Sequence, residues 1–357
     1  MIHCVQNDLP EFRYDAPMNI LVTGASGFIG QHLCQHLNSK NHNVTELVRN
    51  RNSPLPSGLV QGSAEESTSN ATTLSHPAES HSSTTSLNHP ERNQGSPSTI
   101  AVPDISKLTP AHLQNINTVI HLAAVTHDPR ASKSLYHQVN VEGTRHLANC
   151  CVEAGVKRLI FISSIKAVRE RSRIPVKINI APAPEDEYGR SKLEAERLLV
   201  DFPNLETVIV RIPLVYGRGV KGNFNSLVKL VKSGIPLPVL SIQNKRSYLG
   251  VDNLCEFLCL CTELENIRGH TFHIADGPPV SLAGLIRSMY SAMDHKRRSF
   301  WIPNMLAIVI GNLFLGRNRA SKLFGDLEID TSQTTLRTGW YPAHPMQQGL
   351  DKMFGSG

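Results

Sequence analysis

Short apolar runs and amphipathic stretches alternate along most of this chain. Asn19-Ile20-Leu21-Val22-Thr23, Val44 to Val48, Thr118 to Leu122, Leu159 to Ser163 and Thr207 to Ile212 are brief, rich in β-branched residues and mostly apolar, as strands buried on both faces should be. Between them, Gly30 to Asn38, Val139 to Ala154 and Tyr188 to Val200 carry apolar residues at helical spacing. Strand and helix in turn predict an α/β fold: a doubly wound parallel sheet of the Rossmann kind, followed by a smaller C-terminal α/β lobe. Residues 1–17 read as an N-terminal extension, 18–212 as the doubly wound domain, and 213–357 mainly as the lobe, with some return of chain to the sheet.

Two stretches depart from the rhythm. Gly62 to Ser98 has no aromatic residue, only Leu74 and Leu87 as large aliphatics, and is otherwise crowded with Ser, Thr, Asn, His and Pro. It cannot bury enough apolar area to offset its ordering entropy, so a disordered surface insertion is expected. Phe300 to Leu315 is the most apolar late run, but Pro303, Asn304, Gly311 and Asn312 interrupt it. It falls short of the roughly 20 apolar residues of a spanning helix, and a buried helix is expected there, with membrane-surface contact the alternative.

Composition narrows the class further. The chain has 357 residues, 40% of them hydrophobic, enough for a sizeable core. A net charge of +6 is spread thinly, with no block of five basic residues, which argues against a nucleic-acid surface while leaving small anions open. The seven cysteines form no CxxC pair, and Cys255, Cys259 and Cys261 sit in an apolar helix-like run, so reduced, buried thiols are expected. No metal cluster and no export signal are visible in the pattern, and a cytoplasmic location is expected.

The chemistry is concentrated in three places. Gly24-Ala25-Ser26-Gly27-Phe28-Ile29-Gly30 follows a strand and opens a helix, where glycines permit a tight turn and close approach of backbone N–H groups to a pyrophosphate. At the end of the second strand, where NAD binders tend to carry an acid, stands Arg49, whose guanidinium can pair with a 2′-phosphate. That favours NADP(H), with NAD(H) the alternative and a solvated Arg49 the plain reading. Tyr188 and Lys192, four apart, share a helix face, and Ser164 follows an apolar strand whose carboxyl end is where ligands bind in such sheets. A hydroxyl, a phenol and an ammonium converging on one oxygen would couple proton transfer to hydride transfer.

Taken with His121-Leu122-Ala123-Ala124 and Asn140-Val141-Glu142-Gly143-Thr144, these strings resemble the extended short-chain dehydrogenase/reductase family of nucleotide-sugar epimerases, dehydratases and 4-ketoreductases. The resemblance runs from Asn19 nearly to the C-terminus. It implies that Tyr188 is the acid/base, that Lys192 holds down its pKa and bonds the nicotinamide ribose, and that Ser164 orients the substrate oxygen. It also implies cofactor contacts at Gly24, Gly27, Phe28, Ile29, Gly30, Asp104, Ile105, Leu122, Ala123, Ala124, Asn140, Ser163 and Pro213. Substrate contacts are implied at Thr126, Ser164, Asn223 and Arg246, the last two toward the diphosphate of a UDP-sugar. A homodimer through the helices around Val139 and Tyr188 is a further implication. Ser163-Ser164-Ile165-Lys166 with Lys221-Gly222-Asn223-Phe224 is most similar to bacterial UDP-4-keto-sugar C4 reductases, and the same strings occur in chains called UDP-glucose 4-epimerases.

One departure discriminates. Dehydratases of the family carry an Asp-Glu pair soon after the active-site Ser or Thr, and this chain has Ile165-Lys166-Ala167 there, which removes the acid that elimination needs. Val168-Arg169-Glu170 likewise replaces small residues expected near the substrate. The expected activity is NADPH-dependent C4 reduction of a UDP-4-keto-hexose, the alternative a C4 epimerase with tightly held NAD. A silent dinucleotide-binding sensor is the third reading, and the retention of Tyr188, Lys192 and Ser164 argues against it.

Overall fold

The computed structural model describes residues 16–50, 98–126, 131–294, 299–303, 305–306, 309 and 324–355. Nearly all of the expected N-terminal extension and of the Gly62 to Ser98 insertion lies outside the described residues, and Ser98 itself begins a strand. Seven parallel strands form the main sheet: β1 (Asn19–Thr23), β2 (Asn43–Arg49), β3 (Ser98–Val102), β4 (Thr118–His121), β5 (Arg158–Ser164), β7 (Glu206–Ile212) and β10 (Thr271–His273), in the order β10-β7-β5-β4-β1-β2-β3. The chain first builds outward from β1 to β3, then returns to the far side of β1 with β4. The carboxyl ends of β1 and β4 therefore flank the crevice that doubly wound sheets use for ligands.

Both faces of the sheet are covered, which is why its strands are continuously apolar. Along β1, Ile20 and Val22 point into a core shared with α1 (Phe28–Ser39) and α6 (Val251–Glu263), through Leu33, Leu37, Leu254 and Phe257. Leu21 points the other way, into a core with α3 (Gly143–Glu153) and α4 (Glu187–Leu198), through Leu147, Cys151, Ala195 and Leu198. This is the period-2 alternation of a strand doing duty in two cores. The six described cysteines are free and buried, as expected.

Beyond β7 the chain leaves the sheet. Two short parallel pairs, β8 (Leu214–Tyr216) with β9 (Tyr248–Gly250) and β6 (Ser172–Val176) with β11 (Leu327–Ile329), frame a lobe built on α5 (Gly222–Lys232) and α7 (Leu282–Ala292). Phe224, Val228, Val231, Leu285 and Met289 make its core. One expectation is corrected: Phe300, Trp301, Met305, Leu306 and Val309 are exposed, where a buried helix was expected from apolarity alone. The lobe core is already filled by α5 and α7, which leaves these side chains no interior to enter; the rest of the run lies outside the described residues, apart from Ile302 and Pro303.

Candidate active site

The first side of the site is a cradle of backbone. Gly24 has a φ of +70°, and a Cβ there would stand 2.9 Å from the Ala123 nitrogen, so the β1 turn and the loop after β4 meet backbone to backbone. At Gly30 a Cβ would come within 2.3 Å of the Gly24 carbonyl oxygen, which lets α1 begin directly against the turn. Gly27 caps α1 without a side-chain hydrogen bond, and the first turn of the helix carries no acid, so the free N–H groups and positive dipole end face the crevice. A pyrophosphate fits such a cradle. Phe28 and Ile29 form that first turn, partly buried against the core.

The loop after β4 is held by polar contacts. Thr23 Oγ1 lies 2.7 Å from His121 Nδ1 and accepts from the Ala123 N–H at 3.1 Å, and His121 Nε2 lies 3.1 Å from Thr144 Oγ1. Leu122, Ala123 and Ala124 run past the glycine turn as a partly buried strip. The Asn140 side chain spans Val125, accepting from its N–H at 2.8 Å and donating to its carbonyl at 3.0 Å, and also donates to Ser191 Oγ at 3.0 Å. It does so from a π-helical turn, His137–Glu142, a local widening often met at functional sites. Thr126 is exposed at the end of the loop, its carbonyl accepting from the Tyr136 hydroxyl.

The adenosine end is more open. Arg49 is exposed at the last position of β2, paired in register with Val102. Asp104 caps a 3-10 turn, Ile105–Lys107, by accepting from the Ser106 N–H at 2.8 Å, and Ile105 lies under Gly143. No carboxylate occupies the end of β2, since Glu46 lies three residues inside the strand.

The reacting side is formed by β5 and α4. Ser164 ends β5, accepts from the Lys166 N–H at 3.2 Å, and lies beside the Tyr188 phenol. Burial raises the Tyr188 pKa well above the usual phenol range; the Ser164 hydroxyl opposes that shift, and the Asp186 charge adds to it. Lys192 Nζ donates to the Ile162 carbonyl at 2.8 Å and stands 4.5 Å from the centre of the Phe161 ring. Burial draws its ammonium down to about 7, against an upward pull from Glu196. The group that lowers the Tyr188 pKa here is thus Ser164, and the ammonium rests on strand β5.

Two charged clusters behind these residues were not singled out from sequence. Ser163 Oγ donates to Glu196 Oε1 at 2.5 Å, and Arg211 grips the same carboxylate through Nε at 3.0 Å and Nη2 at 2.7 Å. Tyr188, Lys192 and Glu196 recur every fourth residue, so a polar stripe on an otherwise buried helix face was the available signal. Lys166 Nζ donates to Glu170 at 2.8 Å and to Asp186 at 2.9 Å, and Asp186 caps α4 by accepting from the Gly189 N–H at 2.8 Å. Burial raises the Asp186 carboxyl, but its hydrogen bonds to Glu170, Lys166 and Gly189 outweigh this and hold it well below the ordinary range.

Arg246 is largely buried, donates Nη1 to the Gly325 carbonyl at 3.3 Å, and bridges Val280 and Leu327 through its backbone. Pro213 is buried between β7 and β8. Asn223 lies in the first turn of α5, and its side chain falls outside the described residues. No helix among the described residues is long and apolar enough to cross a membrane, and no group of metal-ligating side chains occurs among them.

Known proteins of the same build are numerous. The chain is 34% identical over 344 residues, 94% of each chain, to a UDP-glucose 4-epimerase of Vibrio cholerae. It is 26% identical to a dTDP-4-dehydro-6-deoxyglucose reductase of Escherichia coli, over 96% of this chain and 98% of that one. In three dimensions it matches a UDP-glucuronic acid 4-epimerase of Bacillus cereus in complex with NAD, with a TM-score of 0.68 at 22% identity over 94% and 97% of the two chains, a likeness of fold. Residues 20–275 match the sequence profile of the NAD dependent epimerase/dehydratase family, and the chain belongs to that family of NAD(P)-dependent enzymes.

Proposed function

We propose that the protein reduces the C4 ketone of a UDP-4-keto-hexose, using NADPH. The observation that carries this reading is the meeting of the Ser164 hydroxyl and the buried Tyr188 phenol at the carboxyl end of β5, with the phenol kept protonated by burial. A protonated phenol is a donor, the form in which ketone reduction starts, whereas oxidation of an alcohol needs a base first. The absence of a carboxylate at the end of β2 and the exposed Arg49 there support a 2′-phosphate on the cofactor. The buried Arg246 guanidinium, and the UDP-sugar 4-epimerases among the relatives and structural neighbours, support a nucleoside-diphosphate hexose as the substrate class.

The chain's own residues divide the work. Gly24, Gly27 and Gly30 would hold the pyrophosphate, and a bound reduced nicotinamide would supply a hydride to the carbonyl carbon. Ser164 orients the carbonyl oxygen, and Tyr188 gives it the proton that completes the alcohol. The phenolate left behind would be stabilised by Ser164 and reprotonated from Lys192, one helical turn on, whose ammonium, drawn down to about 7, would recover its own proton from solvent.

A second reading, C4 epimerisation with retained NAD, is favoured by the 34% identity to the Vibrio cholerae protein. Purified protein given a UDP-4-keto-hexose and NADPH should consume one NADPH per alcohol formed, and protein denatured without additions should release little dinucleotide. Interconversion of two UDP-hexose C4 epimers without net NADPH loss, together with released NAD, would overturn the reductase in favour of the epimerase.

A further inference from the structure

The Tyr188 phenol has a second tyrosine for a neighbour. Tyr136 ends α2 (Lys133–Tyr136), directly before the π-helical turn, and is 7% exposed. Its ring packs with Val125 and Leu135 in a small apolar cluster, against which Val139 and Tyr188 rest. The two tyrosine ring centres stand 6.5 Å apart with their planes tilted by 59°, within the roughly 4.5–7 Å over which aromatic pairs attract beyond plain contact. At its far end the Tyr136 hydroxyl donates to the Thr126 carbonyl at 3.0 Å.

The ring contact acts where the other restraints do not. Asp186, Gly189 and Glu196 fix the backbone of α4, which leaves the two side-chain torsions of Tyr188 to be set by whatever its ring touches. Asn140, four residues after Tyr136, likewise works on backbone: it spans the N–H and carbonyl of Val125 and donates to Ser191, whose hydroxyl donates to the Tyr188 carbonyl. Tyr136 takes the next residue of the same loop, Thr126, and lays its ring against the Tyr188 ring. A phenylalanine would fill the apolar cluster equally well, so the hydroxyl has a task apart from packing: it ties down the exposed end of the loop after β4.

We propose that Tyr136 is a positioning residue with two separable tasks, its ring setting the Tyr188 side chain and its hydroxyl holding Thr126 on the substrate side. The proposal rests on the reading of Tyr188 as the proton donor and of Thr126 as a substrate contact. Reduction of a UDP-4-keto-hexose by NADPH and interconversion of UDP-glucose with UDP-galactose are both assayed for the full chain and for Tyr136→Phe, Tyr136→Leu and Tyr188→Phe, with dinucleotide affinity followed by calorimetry. Tyr136→Phe keeps the ring and loses the tether, so the sugar-nucleotide KM should rise about two- to twelvefold, the worth of one neutral hydrogen bond, with kcat within about twofold. Tyr136→Leu should in addition lose about a hundredfold in kcat, as a misplacement near 1 Å does, while dinucleotide affinity holds. Phenylalanine thus rescues kcat and leaves KM raised, a split that a merely structural role would not produce, since partial unfolding lowers dinucleotide binding and turnover together. Should Tyr136→Leu not fold, the KM of Tyr136→Phe still decides. An unchanged KM in Tyr136→Phe, or a folded Tyr136→Leu with wild-type kcat, overturns the proposal while Tyr188→Phe stays inactive; turnover retained in Tyr188→Phe brings down the role of Tyr188 itself, and this inference with it.

Discussion

The buried ion pair behind Ser163 and Ser164 offers the sharpest test of the site's construction. Glu196 and Arg211 are linked by two hydrogen bonds, with side chains 4% and 9% exposed, and Ser163 adds a third bond to the same carboxylate. In Glu196→Ala the guanidinium stays buried, with the imidazole of His273 at 3.4 Å as its nearest remaining partner. Breaking such a pair from one side costs about 3–5 kcal/mol, because an uncompensated charge is left inside. At roughly 2 °C per kcal/mol, the low end expected for a chain this long, Tm should fall by about 6–10 °C. Activity should respond separately. Glu196 raises the Lys192 pKa, so its removal lowers that pKa further below about 7, and the alkaline limb of the pH–rate profile should move to lower pH. Glu196→Leu combined with Arg211→Met removes both charges and should recover much of the stability while keeping the displaced limb. Differential scanning calorimetry and pH–rate profiles of the single and double variants decide the matter. A single variant within about 2 °C of wild type, with an unmoved limb, would refute both the energetic and the electrostatic reasoning.

Four further expectations follow from the same geometry. Tyr188→Phe removes the proton donor and leaves the glycine cradle untouched, so turnover should vanish while dinucleotide affinity, measured by calorimetry, changes little. Arg49→Ala should weaken NADPH by about 10- to 150-fold, the value of hydrogen bonds to a charged group, and leave NADH unchanged; equal small losses for both would assign Arg49 to solvent. In Gly189→Ala the new methyl would stand 2.4 Å from the Lys166 carbonyl oxygen, forcing α4 away from β5, so kcat should fall about a hundredfold for a displacement near 1 Å, with a folded circular dichroism spectrum. Acid should destabilise the fold: burial lowers the His121 pKa to about 3 and the His36 and His273 pKa values to about 4, so from the unfolded value near 6.5 downward the unfolded chain binds protons that the native protein refuses, and stability should drop by about 1.4 kcal/mol per pH unit for each.

What the sequence disclosed and what it hid divide along a physical line. The parallel strands β1, β4, β5 and β7 announce themselves because burial on both faces makes them mostly apolar, and the glycine turn because its glycines answer a steric demand. The strand β3 is not marked by its sequence, since three residues of Ser-Thr-Ile-Ala-Val are exposed and it borders a polar stretch, and only its pairing with β2 makes it a strand. The three-residue strands β8, β9, β10 and β11 are likewise products of tertiary pairing. At Phe300 to Val309 apolarity suggested an interior that α5 and α7 had already filled, and hydrophobicity by itself carries no statement about whether a core has room. Lys166 is the instructive case near the site. In sequence it registered as a missing acid; in space it joins Glu170, four residues on, to Asp186, twenty residues on, a convergence that no local pattern encodes.

These polar contacts explain how α4 is set against β5 so that a hydroxyl and a phenol meet. At its N-terminal end α4 is held by Asp186, tied to Lys166 in the turn that Ser164 caps, and Gly189 lets the helix backbone close on the Lys166 carbonyl. Toward its C-terminal end the helix is held by Glu196, bonded to Ser163 on β5 and to Arg211 on β7. Tyr188 and Lys192 lie between the two attachments. An apolar interface would have allowed the helix to slide with little loss, because dispersion contacts are numerous and non-directional. Bidentate and capping hydrogen bonds fix register as well as distance. The burial of charge around this helix is therefore explained less by stability, for which an apolar core would serve as well, than by the fixed register it gives Ser164 and Tyr188 at the carboxyl end of β5.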